Sequence, residues 1–361
     1  MKKIILILSI LVILIISGCK KVSKTPEIKK FLNGAGASFP YPLYANWASE
    51  YYKLTKIKIN YQSIGSGGGI RQIIEKTVDF GASDMPLKPE EVESKNLLQF
   101  PTAIGAIVPV VNLPEIKNFH LTLDGKTLCE IYLGKIKKWN DSKIKSLNPG
   151  LNLPDKSITP IYRADASGTT AIFTKYLSQV CKTWKKEIGF GTAVNWKIGV
   201  GAKGNEGVAN YVKRTPYTIG YVEIAYAIQN KLSYIKLKNS FGKVVEPNEK
   251  NIKEAILNAK LDPSKHFYTW LTNAPGENAW PIVGATYILL SKEKKETNKE
   301  VVKFFDWAFK NGDKIAEKLT YVPLSEEIKE KIRYYWKKSV SYTHLRAHET
   351  RHDLVCRLLL E

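Results

Sequence analysis

Three segments place small residues and hydroxyls directly ahead of a helical pattern: Asn33-Gly-Ala-Gly-Ala-Ser-Phe-Pro40, Gly65-Ser-Gly-Gly-Gly69 and Arg163-Ala-Asp-Ala-Ser-Gly-Thr-Thr170. A helix start carries unpaired N–H groups and a partial positive charge, so it attracts anions. Glycine lets the backbone approach a ligand, serine and threonine add hydroxyl donors, and Arg163 adds a planar fork that can hold two oxygens. One such turn is an ordinary helix cap. Three of them with an arginine point to a tetrahedral oxyanion held from several sides. A fourth segment, Val78-Asp-Phe-Gly-Ala-Ser-Asp-Met-Pro86, reads as a turn before proline. A carboxylate there is unfavourable beside an anion, unless the anion has a proton to donate.

Other motifs carry less. Gly199-Val-Gly-Ala-Lys-Gly204 has GxGxxG spacing, but no acidic residue stands where a ribose needs one and the preceding segment is a poor first strand. It is read as a surface glycine loop. No GxxxxGK[ST] phosphate loop is present, so nucleotide hydrolysis is unsupported. His348-Glu-Thr-Arg-His352 matches HExxH, yet only nine residues follow it and no scaffold surrounds it. No metal site is expected.

These turns need strands and helices to hold them. Lys58–Gln62, Ala106–Val111 and Ser157–Tyr162 read as strands. Apolar spacing predicts helices through Tyr44, Trp47 and Tyr51, through Ile70, Ile73 and Ile74, through Ala171, Phe173, Tyr176 and Leu177, and through Val301, Phe304, Phe305, Trp307 and Ala308. Strand–turn–helix succession argues for an α/β fold with largely parallel sheets.

The chain has 361 residues, enough for two domains, and 44% hydrophobic with 25% charged residues is a folded composition. Its formal charge is +21. Aromatic and basic residues do not alternate as single-strand nucleic-acid binding requires, so no nucleic-acid partner is expected and the lysine excess is read as a solvated surface. Four scattered cysteines do not make a disulfide scaffold. Residues 1–18 read as a signal peptide: Met1-Lys2-Lys3, an apolar run Ile4–Ile16, then Ser17-Gly18 before Cys19. That ending resembles a bacterial lipobox, which implies cleavage before Cys19 and lipidation of its thiol, with 19–30 as a tether. The stretch Ser341–Glu361 has three histidines and no lysine, unlike the body, and 339–361 is read as a non-native tail.

At its motifs the chain closely resembles the periplasmic phosphate-binding proteins of bacterial phosphate-specific ABC transporters. The resemblance runs over about 31–338 and includes Gly34–Pro40, Asp79–Asp84, Leu123–Thr127, Ile131–Trp139, Arg163–Thr169, Ile219–Glu223 and Phe304–Trp307. It implies a two-lobed periplasmic-binding-protein fold of type II, with ligand in a cleft between lobes joined by a two-segment hinge. The first lobe would use 31–105 and 282–338, and the second 106–281. By position, phosphate would meet Ser38, Phe39, Ser66, Asp84, Arg163, Ser167, Gly168 and Thr169, with Asp165 orienting Arg163. Where the family usually has a second Ser this chain has Gly67; where Gly is common it has Ala166, and where Thr is common, Ser38. Cys129, in a segment often bearing Gly, is read as a small buried thiol.

The implied function is phosphate binding outside the cytoplasmic membrane and delivery to a permease with a separate ATPase, by a lipid-anchored monomer without a cofactor. The competing reading is a secreted phosphatase with Ser38 or Ser167 as nucleophile. It lacks a base: outside the tail the histidines are His120 and His266, neither near a Gly/Ser turn.

Overall fold

In the computed structural model, residues 31–116, 121–257 and 259–341 are described. The lipobox with Cys19, His120 and the HExxH segment lie outside them. In chain order the strands are β1 (Phe31–Gly36), β2 (Lys58–Ser63), β3 (Phe80–Ser83), β4 (Leu97–Val111), β5 (Thr122–Asp124), β6 (Thr159–Arg163), β7 (Val200–Ala202), β8 (Thr218–Glu223), β9 (Ser233–Tyr234), β10 (Lys236–Lys238), β11 (Val244–Val245) and β12 (Val283–Ser291). The main sheet runs β2-β1-β3-β12-β4-β8-β6-β7, with β9 also on β4; β11-β10-β5 form a smaller sheet.

The α/β expectation holds, but the sheet is mixed, not largely parallel. β1–β2, β1–β3, β6–β7 and β6–β8 are parallel. β12 runs antiparallel to both β3 and β4, and β4 runs antiparallel to β8. β4 explains the difference. It is 15 residues long and buried throughout. Leu97–Ala106 pairs with β12 and Ile107–Val111 with β8, so one strand serves both halves of the sheet. Only its second part, from Ala106, is visible in the sequence; Pro101 and Gly105 disguise the rest.

Pro101 has no N–H to give, and the β4–β12 register slips between Thr286 and Tyr287, opposite Ala103 and Pro101. Each half packs aromatic residues beneath its turns. Tyr44 meets Tyr61, Trp47 and Phe305 in the first. In the second, Phe173 stacks on Tyr221 with centroids 4.2 Å apart.

The expected helices form as Tyr41–Thr55, Ser66–Ile74, Gly168–Val180 and Lys295–Asn311. The second and third Gly/Ser turns are thus partly the helices' own first turns. Gly69 shows why glycine is needed there: a Cβ would fall 2.6 Å from Gly36 Cα, so the helix lies against β1.

The buried-thiol reading of Cys129 is overturned. Cys129 is bonded to Cys181. The Gly125–Tyr132 helix packs on Gly168–Val180, with Gly125 against Tyr176, which brings residues 52 apart in sequence to a Cα–Cα distance of 6.4 Å. No sequence spacing signals such a pairing.

Candidate functional site

Four helix starts converge. Ser38 and Phe39 precede Tyr41–Thr55, Ser66 opens Ser66–Ile74, Ser167 caps Gly168–Val180, and Gly204 opens Gly204–Arg214. Ser38, Phe39, Ser66, Asp84, Arg163, Ser167 and Thr169 are all at most 4% exposed, so the cluster is shut from water.

Ser66 Oγ accepts from the Asp84 N–H at 3.1 Å. A Cβ on Gly168 would fall 2.4 Å from Ser66 Oγ and 2.6 Å from Asp84 Oδ2. Gly168 therefore lets the Gly168–Val180 helix start reach these two residues from the other half of the sheet. Ser167 Oγ accepts from the Thr170 N–H at 3.0 Å, an ordinary N-cap. Tyr221 supports this turn from below: its hydroxyl bonds to Thr170 Oγ1 at 2.7 Å and receives the Arg163 N–H at 3.2 Å.

Arg163 donates to Asp165 twice, Nε to Oδ1 at 2.7 Å and Nη2 to Oδ2 at 2.5 Å. Asp165 also accepts from the Gly204 N–H at 3.0 Å. Burial pushes the Asp165 carboxyl up, but Arg163 and Gly204 outweigh it, and it stays below the usual range. The guanidinium is thereby fixed in direction, and its third nitrogen, Nη1, is buried without a hydrogen-bond partner among the described residues.

Asp84 is the other half of the electrostatics. Thr286, beside the register slip, donates Oγ1–H to Asp84 Oδ1 at 2.9 Å. Oδ2 is buried without a partner among the described residues. Burial pushes the carboxyl up to about 7, against the pull of Thr286, Arg163 and Ser66. Desolvation is the largest cause of that rise.

Sequence reasoning missed Asn205. Its Nδ2 donates to Ser38 Oγ at 2.9 Å and to Thr169 Oγ1 at 3.1 Å, and its Oδ1 accepts from the Glu223 N–H at 3.0 Å. It directly follows the segment Gly199–Gly204 that was read as a surface glycine loop. That reading holds for Gly199 and Gly201, which are exposed, but Gly204 and Asn205 are buried. A polar residue just after glycine at a helix start was the available signal. Glu223, Tyr226 and Tyr321 were also missed. Tyr226 and Tyr321 donate to the carbonyls of Ser38 and Phe39, each at 2.6 Å. Glu223 is held well above the carboxylate range by burial and by nearby Asp84.

A buried arginine nitrogen, a protonatable carboxyl oxygen, four hydroxyls and several helix starts suit a small oxyanion bearing a proton. They do not suit nucleophilic catalysis. Ser38 and Ser167 bond to Asn205 and a backbone N–H, and His266, the only histidine among the described residues, bonds Tyr335 and Glu93. A groove of about 870 Å³ lined by Ile104, Leu261, Val322 and Lys331 shares no residue with the cluster.

The PBP superfamily domain model matches residues 21–311. The phosphate-binding protein PstS of Haemophilus influenzae is 54% identical over 308 residues, covering 85% of this chain and 92% of that one. PstS of Pasteurella multocida is 54% identical over 311 residues, covering 86% and 90%. Among solved structures, a phosphate ABC transporter substrate-binding protein with bound phosphate from Clostridium perfringens superposes with a TM-score of 0.60 at 20% identity, covering 82% of this chain and all of that one.

Proposed function

Because the chain belongs to the PstS family of phosphate-binding proteins within the PBP superfamily, we propose that it binds inorganic phosphate between two lobes and hands it to an ABC permease for import. One observation carries the reading. Arg163 Nη1 and Asp84 Oδ2, two buried atoms without partners among the described residues, come from opposite halves of the sheet, and their side chains are in electrostatic reach of each other. Arg163 supplies the cation, and an ionised Asp84 supplies an acceptor that an anion satisfies only if it carries a proton.

In this reading phosphate is held by Ser38, Phe39 through its backbone, Ser66 and Asp84 from one lobe and by Arg163, Ser167, Gly168 and Thr169 from the other. Lobe one comprises 31–105 with 282–338 and lobe two 106–281. The exchange of β4 from β12 to β8 after Ala106 supports that division. The protein works as a monomer, needs no cofactor and is not an enzyme. A calorimetric titration tests this. One phosphate should bind per chain, and p-nitrophenyl phosphate should release no p-nitrophenol. Turnover, or no binding heat, would overturn the reading.

The working place is the periplasm or the outer face of the cell membrane, with the anchor at Cys19. Among the described residues no helix is long and apolar enough to cross a membrane. Cys19→Ala should abolish incorporation of labelled fatty acid; a variant that is still labelled would show that the anchor lies elsewhere.

A further inference from the structure

Gly67 and Ala166 belong to opposite halves of the sheet and touch. The Gly67 N–H donates to the Ala166 carbonyl at 2.9 Å. A Cβ placed on Gly67 would stand 2.5 Å from the Ala166 Cβ. One placed on Gly65 would stand 2.7 Å from the Ala166 carbonyl oxygen, so the approach is tight along the whole turn. Gly67 lies in the first turn of Ser66–Ile74 and is not among the residues with positive φ. A side chain there strains nothing locally; its cost comes only from the neighbour across the cleft.

We propose that Gly67 and Ala166 are a positioning pair that sets how far the two halves close: the gap between them holds one Cβ, which Ala166 supplies. Two departures noted in the sequence, at positions 67 and 166, thus fall on a single contact. Its neighbours make the consequence specific. Ser66 is one residue before Gly67, and Ser167 and Gly168 directly follow Ala166. A methyl added at 67 pushes apart the donors that must converge on one ligand while leaving each in place on its own helix. The effect therefore appears in ligand affinity and not in the stability of either half. This inference rests on phosphate being the ligand.

The test is a cycle of Gly67→Ala, Ala166→Gly and the double variant, read by phosphate titration, by the ligand-free thermal midpoint and by small-angle scattering. Gly67→Ala should weaken phosphate binding by about tenfold or more, a coupling ordinary for residues in contact. Its ligand-free midpoint should not fall, since alanine favours a helix over glycine. Ala166→Gly alone should change affinity by less than about threefold, and the double variant should return to within about threefold of wild type. A Gly67→Ala variant that binds as wild type, or a double variant as weak as Gly67→Ala, overturns the proposal. If Gly67→Ala lowers the midpoint, rescue of midpoint and affinity together by Ala166→Gly upholds the contact, and failure of rescue overturns it. A wild type that ignores phosphate overturns the phosphate reading instead. The collision is then judged by scattering: a larger radius of gyration for Gly67→Ala upholds it, and an unchanged one overturns it.

Discussion

In the proposed function Asp84 carries the selectivity. Its Oδ1 is tied to Thr286, so only Oδ2 is free to face a ligand. Titrating at about 7, the carboxyl is an acceptor above neutrality and a donor below it. The same shift has a stability consequence. The folded pKa lies above the ordinary 3.8, so the stabilising contribution is present below that value and lost as pH rises through about 7. Glu223, also raised by burial, acts with the same sign, and Arg163 moderates Asp84 by attraction. The ligand-free thermal midpoint should therefore fall between about pH 4 and pH 7, and Asp84→Asn should flatten that fall. An unchanged slope in the variant would show that Asp84 does not titrate in this range. The clustered residues were legible because each sits in a short motif of hydroxyls, glycine and charge. Thr286 and Asn205 were not, because their partners are 202 and 167 residues away along the chain.

At the scale of elements, apolar spacing located the helices under the site, since Tyr44, Trp47 and Phe173 recur with helical period and face the core. It failed at β4, where every residue is buried, so no alternation exists to read and Pro101 looks like a terminator. It failed again at the antiparallel return of β12, which depends on a long-range pairing. The Cys129–Cys181 bond has an element-level role: it fastens the end of Gly168–Val180, whose start carries Ser167, Gly168 and Thr169, to the neighbouring Gly125–Tyr132 helix. A crosslink across 52 residues restricts the unfolded chain by about 4 kcal/mol on chain-entropy grounds. Cys129→Ser should lower the denaturant midpoint markedly while leaving phosphate affinity within about threefold, because the bond lies at the far end of the helix from the site. A variant with an unchanged midpoint would mean the bond contributes nothing to stability.

For the whole molecule, β4 and β12 tie the two halves together, and the groups that would hold a ligand are divided between them. The two groups that carry the reading are divided in this way: Asp84 Oδ2 comes from one half and Arg163 Nη1 from the other. The formal charge of +21 adds a general attraction for anions but cannot tell phosphate from sulfate. In the proposed function that distinction rests on the proton, because above neutrality sulfate would set a lone pair against an ionised Asp84 with no compensating bond. The decisive measurement is displacement of bound phosphate by sulfate, titrated at about pH 8.5, where Asp84 is ionised, and at about pH 5.5, where it can donate. At the higher pH sulfate in large excess should leave phosphate bound, and at the lower pH the discrimination should narrow. Sulfate that displaces phosphate at comparable concentration at the higher pH would contradict the reading of this cleft as a proton-selective phosphate site.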